Sequence, residues 1–398
     1  MITRSLLERL FSAASIERWN DHPHPAVFTE LGKQGHKMII AWILGRREED
    51  AGREISWTAL VEGGIFEFLH RVVVTDIKPP VFHRLMRDED TRLQLNDWVY
   101  EKLGRDLTAV SPEFAARFRA YHRNLSPQPE KLVLGAAHAL ATKWEFDFIY
   151  RWSADMYGVE DTAKEIERQA SAALEALPLS AAVRGEPLWG FISLVGQLAF
   201  QKRWAQTPRI PQTSVLGHLL FVAITAYLIS LETGACPRRA RNNFFGGLFH
   251  DLPEVLTRDI VSPVKTSVEG LENLIRRYER DSMEQRVFPL LPESWRGELR
   301  YYTEEEFKNK TVQPGRIDPI QRYAEDIPEE FNRDEFNPLD GQVIEVCDKL
   351  AAYIEASVSI RMGLRPQALE EGKRRMYERF SGAVLYGRPV GRLFDLFW

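Results

Sequence analysis

The chain has 398 residues, 44% of them hydrophobic and 27% charged, with a formal net charge of −5. Those proportions describe a globular protein long enough for two domains with real cores, and the acidic balance argues against a dominant nucleic-acid surface. Two cysteines, Cys236 and Cys347, imply no disulfide framework and suit a reducing, cytoplasmic setting.

In chain order, Ile2–Trp19 is amphipathic but broken by charge, with none of the continuous apolar run of a signal peptide. Helical spacing of apolar residues follows through His36–Leu44, Trp57–His70, Pro112–Tyr121 and Leu132–Trp152. The weakly periodic segment LPLSAAVRGEP marks a boundary, dividing the chain into 1–183 and 184–398. Beyond it the helical runs are Leu188–Trp204, Val215–Leu231, Arg241–Leu252, Val268–Leu290, Val343–Met362 and Gln367–Phe380. The run Val215–Glu232 nears membrane-spanning length, yet it holds His218 and ends on a glutamate, so a buried core helix is expected and no membrane partner. The expected fold class is all-α, as two tandem helical bundles. Near 300–341 an insertion rich in acid and proline reads as a solvated excursion or, more sharply, a lid.

Blocks of the first half recur in order in the second. IERWNDHPHP answers QKRWAQTPRIP, GHKMIIAWILG answers GHLLFVAITAYLIS, GGIFEFLHRVVVTDIKPPV answers GGLFHDLPEVLTRDIVSPV, and the helix from Leu132 answers the one from Gln342.

The second half contains only two histidines, His218 and His250, both inside apolar helical runs where burial of a polar side chain calls for a partner. Asp251 follows His250 directly, and Asp348 interrupts another apolar run. Two imidazoles and two carboxylates on facing helices form a mixed N/O shell for one divalent ion: Mn, Co, Fe, Ni, Zn or Mg. On a continuing helix Glu254 would share the face of His250 and Asp251, while Pro253 could kink that helix and aim it. Arg203 supplies a planar fork suited to phosphate, and Trp204 a flat apolar wall.

The pattern His218…His250-Asp251…Asp348 resembles the signature of the HD-domain metal-dependent phosphohydrolases. HDLPEVLTRDIVSPVK is similar to the 5′-deoxynucleotidase (YfbR-like) branch, in which an Arg-Trp pair precedes the first histidine. Arg258 stands where that branch usually has glycine. The resemblance implies metal ligation by His218, His250, Asp251 and Asp348, with Asp251 and Glu254 in catalysis and Glu254 positioning the attacking water. It also implies that Arg203, Trp204, Asp259 and Lys265 bind a (deoxy)nucleoside 5′-monophosphate. Alternatives are another nucleotide (cyclic dinucleotide, alarmone or triphosphate) or a non-catalytic nucleotide-binding scaffold. The expected partner is thus a small nucleotide, with the two halves packed on each other and a homo-oligomer left open.

In the first half the corresponding positions read His36, His70, Arg71 and His138, an HD-like bundle that has lost its metal. The alternative there is a three-histidine zinc site.

Overall fold

A computed structural model describes residues 1–398 except 25, 76, 78, 178–180, 186, 259–267 and 315–319. Its helices are α1 (Arg4–Ser12), α2 (Glu30–Asp50), α3 (Trp57–Val73), α4 (Pro79–Leu85), α5 (Glu89–Val110), α6 (Pro112–Arg123), α7 (Pro129–Ser153) and α8 (Val159–Glu175) in the first half. The second half adds α9 (Pro187–Gly196), α10 (Val215–Glu232), α11 (Pro237–Phe249), α12 (Glu254–Thr257), α13 (Leu271–Ser282), α14 (Glu293–Thr303), α15 (Gly341–Arg361), α16 (Gln367–Phe380) and α17 (Arg392–Asp395). Two antiparallel ribbons complete it, β1 (Glu17–Arg18) with β2 (Phe28–Thr29) and β3 (Asn309–Val312) with β4 (Ile320–Tyr323). The all-α expectation holds.

Local chemistry sets where the main helices begin. Thr29 caps α2 by accepting from the Gly32 amide, Ser56 caps α3 and Ser214 caps α10. Proline at the first position opens α7 and α11, where a missing N–H costs nothing. Helix α10 is apolar all round, and 89% of its most apolar window is buried inside the molecule, as a central helix should be. It packs against α2, α11 and α15.

Helices α5 and α8 escape the sequence reading because they are charge-rich with narrow buried stripes; in α8 only Val159, Ile166, Ala170 and Leu174 are buried. The run Leu188–Trp204 stops being α-helical at Gly196, which leaves Trp204 in a loop. The insertion packs inward at β3. Asn309, Lys310 and Thr311 of β3 are buried, and the Lys310 ammonium donates to the carbonyls of Tyr301 (2.6 Å) and Glu304 (2.9 Å).

One hydrophobic core runs through both halves. Trp42 of α2 sits 5.3 Å from the Phe249 ring and 5.7 Å from that of Trp295, and Tyr227 of α10 donates to Glu62 of α3 at 2.9 Å.

The loop before α2 is rebuilt bond for bond before α10. Glu17 pairs with Thr29 as Lys202 pairs with Ser214. The Glu30 amide donates to the Ile16 carbonyl, as that of Val215 does to Gln201. Trp19 and Trp204 both adopt left-handed backbone, at φ 61° and 54°, which costs an L-residue roughly 1–2 kcal/mol. Each indole N–H donates to a buried glutamate at 2.9 Å, Trp19 to Glu145 and Trp204 to Glu355.

Candidate metal centre

Helix α10 contributes His218 one turn past its Ser214 cap, α11 ends at Phe249 with His250 as its cap and Asp251 next, and α15 contributes Asp348. One ligand atom from each of the four lies within 4.8 Å of all the others. His218 Nε2 stands 3.0 Å from Asp348 Oδ1, and His250 Nε2 3.2 Å from Asp251 Oδ2.

The donors suit an ion. His250 Nδ1 is 2.9 Å from the Gly247 carbonyl, which fixes the N–H there and leaves the Nε2 lone pair facing the carboxylates. Neither Nε2 makes an aligned hydrogen bond, although both are buried, a costly arrangement that a cation among them would relieve. Burial and the nearby Arg203 hold His218 below its ordinary pKa and so neutral. Burial opposes protonation of His250 too, but the Asp251 and Asp348 charges outweigh it and raise its pKa. Burial likewise disfavours ionised Asp348, yet Lys349, His218 and Arg203 hold it well below the usual carboxylate range.

Glu254 does not share a helix with His250. Pro253 has no N–H to continue α11, so the chain turns at 251–253 and α12 starts afresh at Glu254, whose amide donates to the Asp251 carbonyl at 3.1 Å. The carboxylate is nonetheless brought back inside and is 5% exposed.

Arg203 lies along the rim, its guanidinium 3.6 Å from Asp251, 3.7 Å from Asp348 and 3.6 Å from Glu355. Arg209 fixes this loop by donating to the carbonyls of Arg203 (2.9 Å) and Thr213 (3.2 Å). The Trp204 ring abuts Gly372 of α16, where a Cβ would come within 3.0 Å. Phe307, from the insertion, approaches the His250 ring at 6.1 Å, and the Lys349 ammonium sits over Phe307. Asp259 and Lys265 fall outside the described residues.

Sequence reasoning passed over Glu355, Lys349 and Arg209. Glu355 had a signal: it follows Asp348 by two helical turns inside an apolar run, hence on the same face. Lys349, Asp348's neighbour, donates to it at 2.7 Å, a contact that only the folded turn reveals.

The first-half correspondence needs correction. His36 bonds the Ile192 carbonyl at 2.9 Å and packs edge-on to Trp144, whereas His70 meets Asn96 at 3.0 Å and stacks near His122. They belong to different clusters, so no three-histidine zinc site forms. The caps set the register: Thr29 matches Ser214, so Lys33 rather than His36 stands where His218 does. Three residues is ~300° of rotation, about 60° short of a full turn, and a rise of ~4.5 Å, so His36 sits nearly a turn further along α2 than the place of His218. In α3 and α11, Gly64 abuts Met38 as Gly247 abuts Ala223, and Gly63 abuts Leu134 as Gly246 abuts Ile344. That register places Glu67, Phe68 and Arg71 opposite His250, Asp251 and Glu254, and His138 opposite Asp348.

Residues 195–376 match the family model for the HD domain, a segment that contains the whole four-residue cluster, Arg203, Trp204 and Glu355. The match supports the HD-domain superfamily and, with it, metal-dependent phosphohydrolase chemistry in this segment. No curated protein and no solved structure matches the chain.

Proposed function

We propose that the second half hydrolyses the phosphomonoester of a (deoxy)nucleoside 5′-monophosphate, releasing nucleoside and inorganic phosphate. The observation that carries this reading is the meeting of two neutral-capable imidazoles and two carboxylates with an arginine-tryptophan loop at their rim. His218, His250, Asp251 and Asp348 would hold one divalent ion. When bound, such an ion acts as a Lewis acid toward water and a phosphoryl oxygen.

The chain's own residues account for the rest. Arg203 offers guanidinium donors beside the metal carboxylates, where a phosphate would lie, and Glu355 and Arg209 keep it there. Glu254, buried one turn from Asp251, is the carboxylate suited to take the water proton. Trp204, clamped between Glu355 and Gly372, offers its face to the sugar or base. The first half, read as a copy without the metal set, packs on this one as a built-in second subunit.

The test is phosphate release from a panel of deoxy- and ribonucleoside 5′-monophosphates after stripping and restoring single divalent ions. Metal-dependent release, absent in Asp251→Ala, supports the reading. Metal binding without release from any monophosphate would keep the centre and overturn the substrate.

A further inference from the structure

We propose that the first half carries a metal-independent binding site for a phosphate monoester, centred on Lys33 and Arg71. The nucleoside part of that ligand rests on the reading above; the phosphate part stands on the first half alone.

The positions that match the metal ligands hold Lys33, Glu67, Phe68 and His138. Phe68 has no donor atom, and an ammonium cannot ligate a cation. Positive charge is built in covalently instead. Arg18, Lys37 and Arg71 balance Glu30, Glu67 and Glu145, so the cluster carries one cation in excess once Lys33 is protonated. Arg18 is committed to Glu30 at 2.9 Å and Glu145 at 2.8 Å, and Lys37 to Glu67. Lys33 is not so matched: it is 2% exposed, and its ammonium meets the His138 ring nitrogen rather than a carboxylate. Arg71 reaches Glu30 only at 3.9 Å and the Ile77 carbonyl at 3.5 Å.

These two loosely matched cations occupy the places of His218 and Glu254, next to a tryptophan loop built like the one in the second half. The groups that would grip a substrate persist, and those that would hold an ion or take a proton are gone. Burial and the charges of Arg18 and Lys37 depress the Lys33 pKa well below the usual lysine value, a penalty that an incoming dianion reverses. Solvent reaches the place, since His138 is exposed and the side chains of Arg71 and Glu67 keep 25% and 34% of their surface. Binding without turnover follows, because Arg71 stands where a proton acceptor would be needed.

Calorimetric titration of the full chain, metal-stripped and carrying Asp251→Asn, tests this with inorganic phosphate and with deoxyadenosine 5′-monophosphate as probes. Expected is a site weakened at least about tenfold by Arg71→Gln or Lys33→Met. The binding heat should also vary with buffer ionisation, reporting proton uptake by Lys33. Arg71 is partly exposed, so Arg71→Gln carries the test even where Lys33→Met does not fold. Absence of binding by both probes overturns the proposal, as does binding that Arg203→Gln abolishes and Arg71→Gln spares. Phosphate bound through Arg71 with the nucleotide refused would uphold the site and place the failure in the nucleotide reading.

Discussion

The two halves repeat one tryptophan loop and differ in how they balance charge. Around Trp204 the second half sets Asp251, Glu254, Asp348 and Glu355 against Arg203, Arg209 and Lys349, one positive charge short, beside two buried imidazoles whose Nε2 atoms lack aligned partners. Around Trp19 the first half has Lys33 and Arg71 where the other has His218 and Glu254, with Lys37 paired to Glu67, and it lacks nothing a cation would supply. The loop survives this exchange because its own bonds hold it: a two-stranded ribbon, a capped helix and an indole on a glutamate, none of which involves a metal ligand. Scaffold and chemistry are therefore separable, and each half can be altered to ask which it carries.

The largest effect should come from removing a ligand. Asp251→Asn is expected to abolish the bound ion and lower phosphate release by more than about 100-fold. Chelation should lower the melting temperature of the parent chain but not of this variant. In contrast, Glu67→Gln, the matching region of the other half, should leave metal content at one ion per chain. An Asp251→Asn chain that still holds a stoichiometric ion would break the comparison.

The paired glutamates sharpen it. Glu355 is 2% exposed and faces Arg203 and Arg209, so Glu355→Ala takes the ion pair from buried Arg209 and one of three from Arg203 and should cost roughly 3–5 kcal/mol, with a higher KM as Arg203 loses that anchor. Glu355→Gln keeps an acceptor for the Trp204 indole and should recover part of the KM loss. Glu145→Ala leaves Arg18 with Glu30 and should cost less stability, with kcat/KM unchanged. Denaturant melts and steady-state kinetics on the three variants decide it.

Much of this was legible beforehand. Periodicity gave the all-α class, and the spacing of His218, His250, Asp251 and Asp348 pointed to a cluster that the fold does bring together. What failed was register. Matching Gly35-His36 to Gly217-His218 by letter ignored the caps at Thr29 and Ser214, which fix the helix phase and exchange His36 for Lys33. The break after Phe249 was half legible, since Pro253 announced a disturbance but not that the chain would turn and start α12. Arg209 was beyond reach, because its role is to bind loop carbonyls that only the folded chain assembles.

The first half should also set the acid limit. Burial, with Lys33 nearby, lowers His36 to about 4, and burial, with His70, lowers His122 to about 3. Between those values and 6.5 the unfolded chain binds more protons than the folded one, so stability is full above about pH 6.5 and falls as pH drops toward 4. His36 alone accounts for about 3 kcal/mol of that loss. The carboxylate Glu30, lowered to about 2 because Arg18 and Lys33 outweigh its burial, adds its own loss only below about pH 4.5. A His36→Gln chain should show a shallower decline between pH 6.5 and 4 in denaturant melts. An unchanged slope would remove His36 from the acid limit.

The smallest effect tests whether Trp204 touches the substrate at all. Gly372 lies inside α16, where alanine is the better helix former by up to about 1 kcal/mol, yet its Cβ would press the Trp204 ring at 3.0 Å. Gly372→Ala should therefore hold or slightly raise the melting temperature while shifting the indole by a few tenths of an ångström. If the indole forms a wall of the nucleotide pocket, KM rises a few-fold with kcat little changed, the mark of lost ground-state fit rather than lost chemistry. Equal KM in both chains would make Trp204 a loop anchor like Trp19, and substrate recognition would then fall to Arg203 alone.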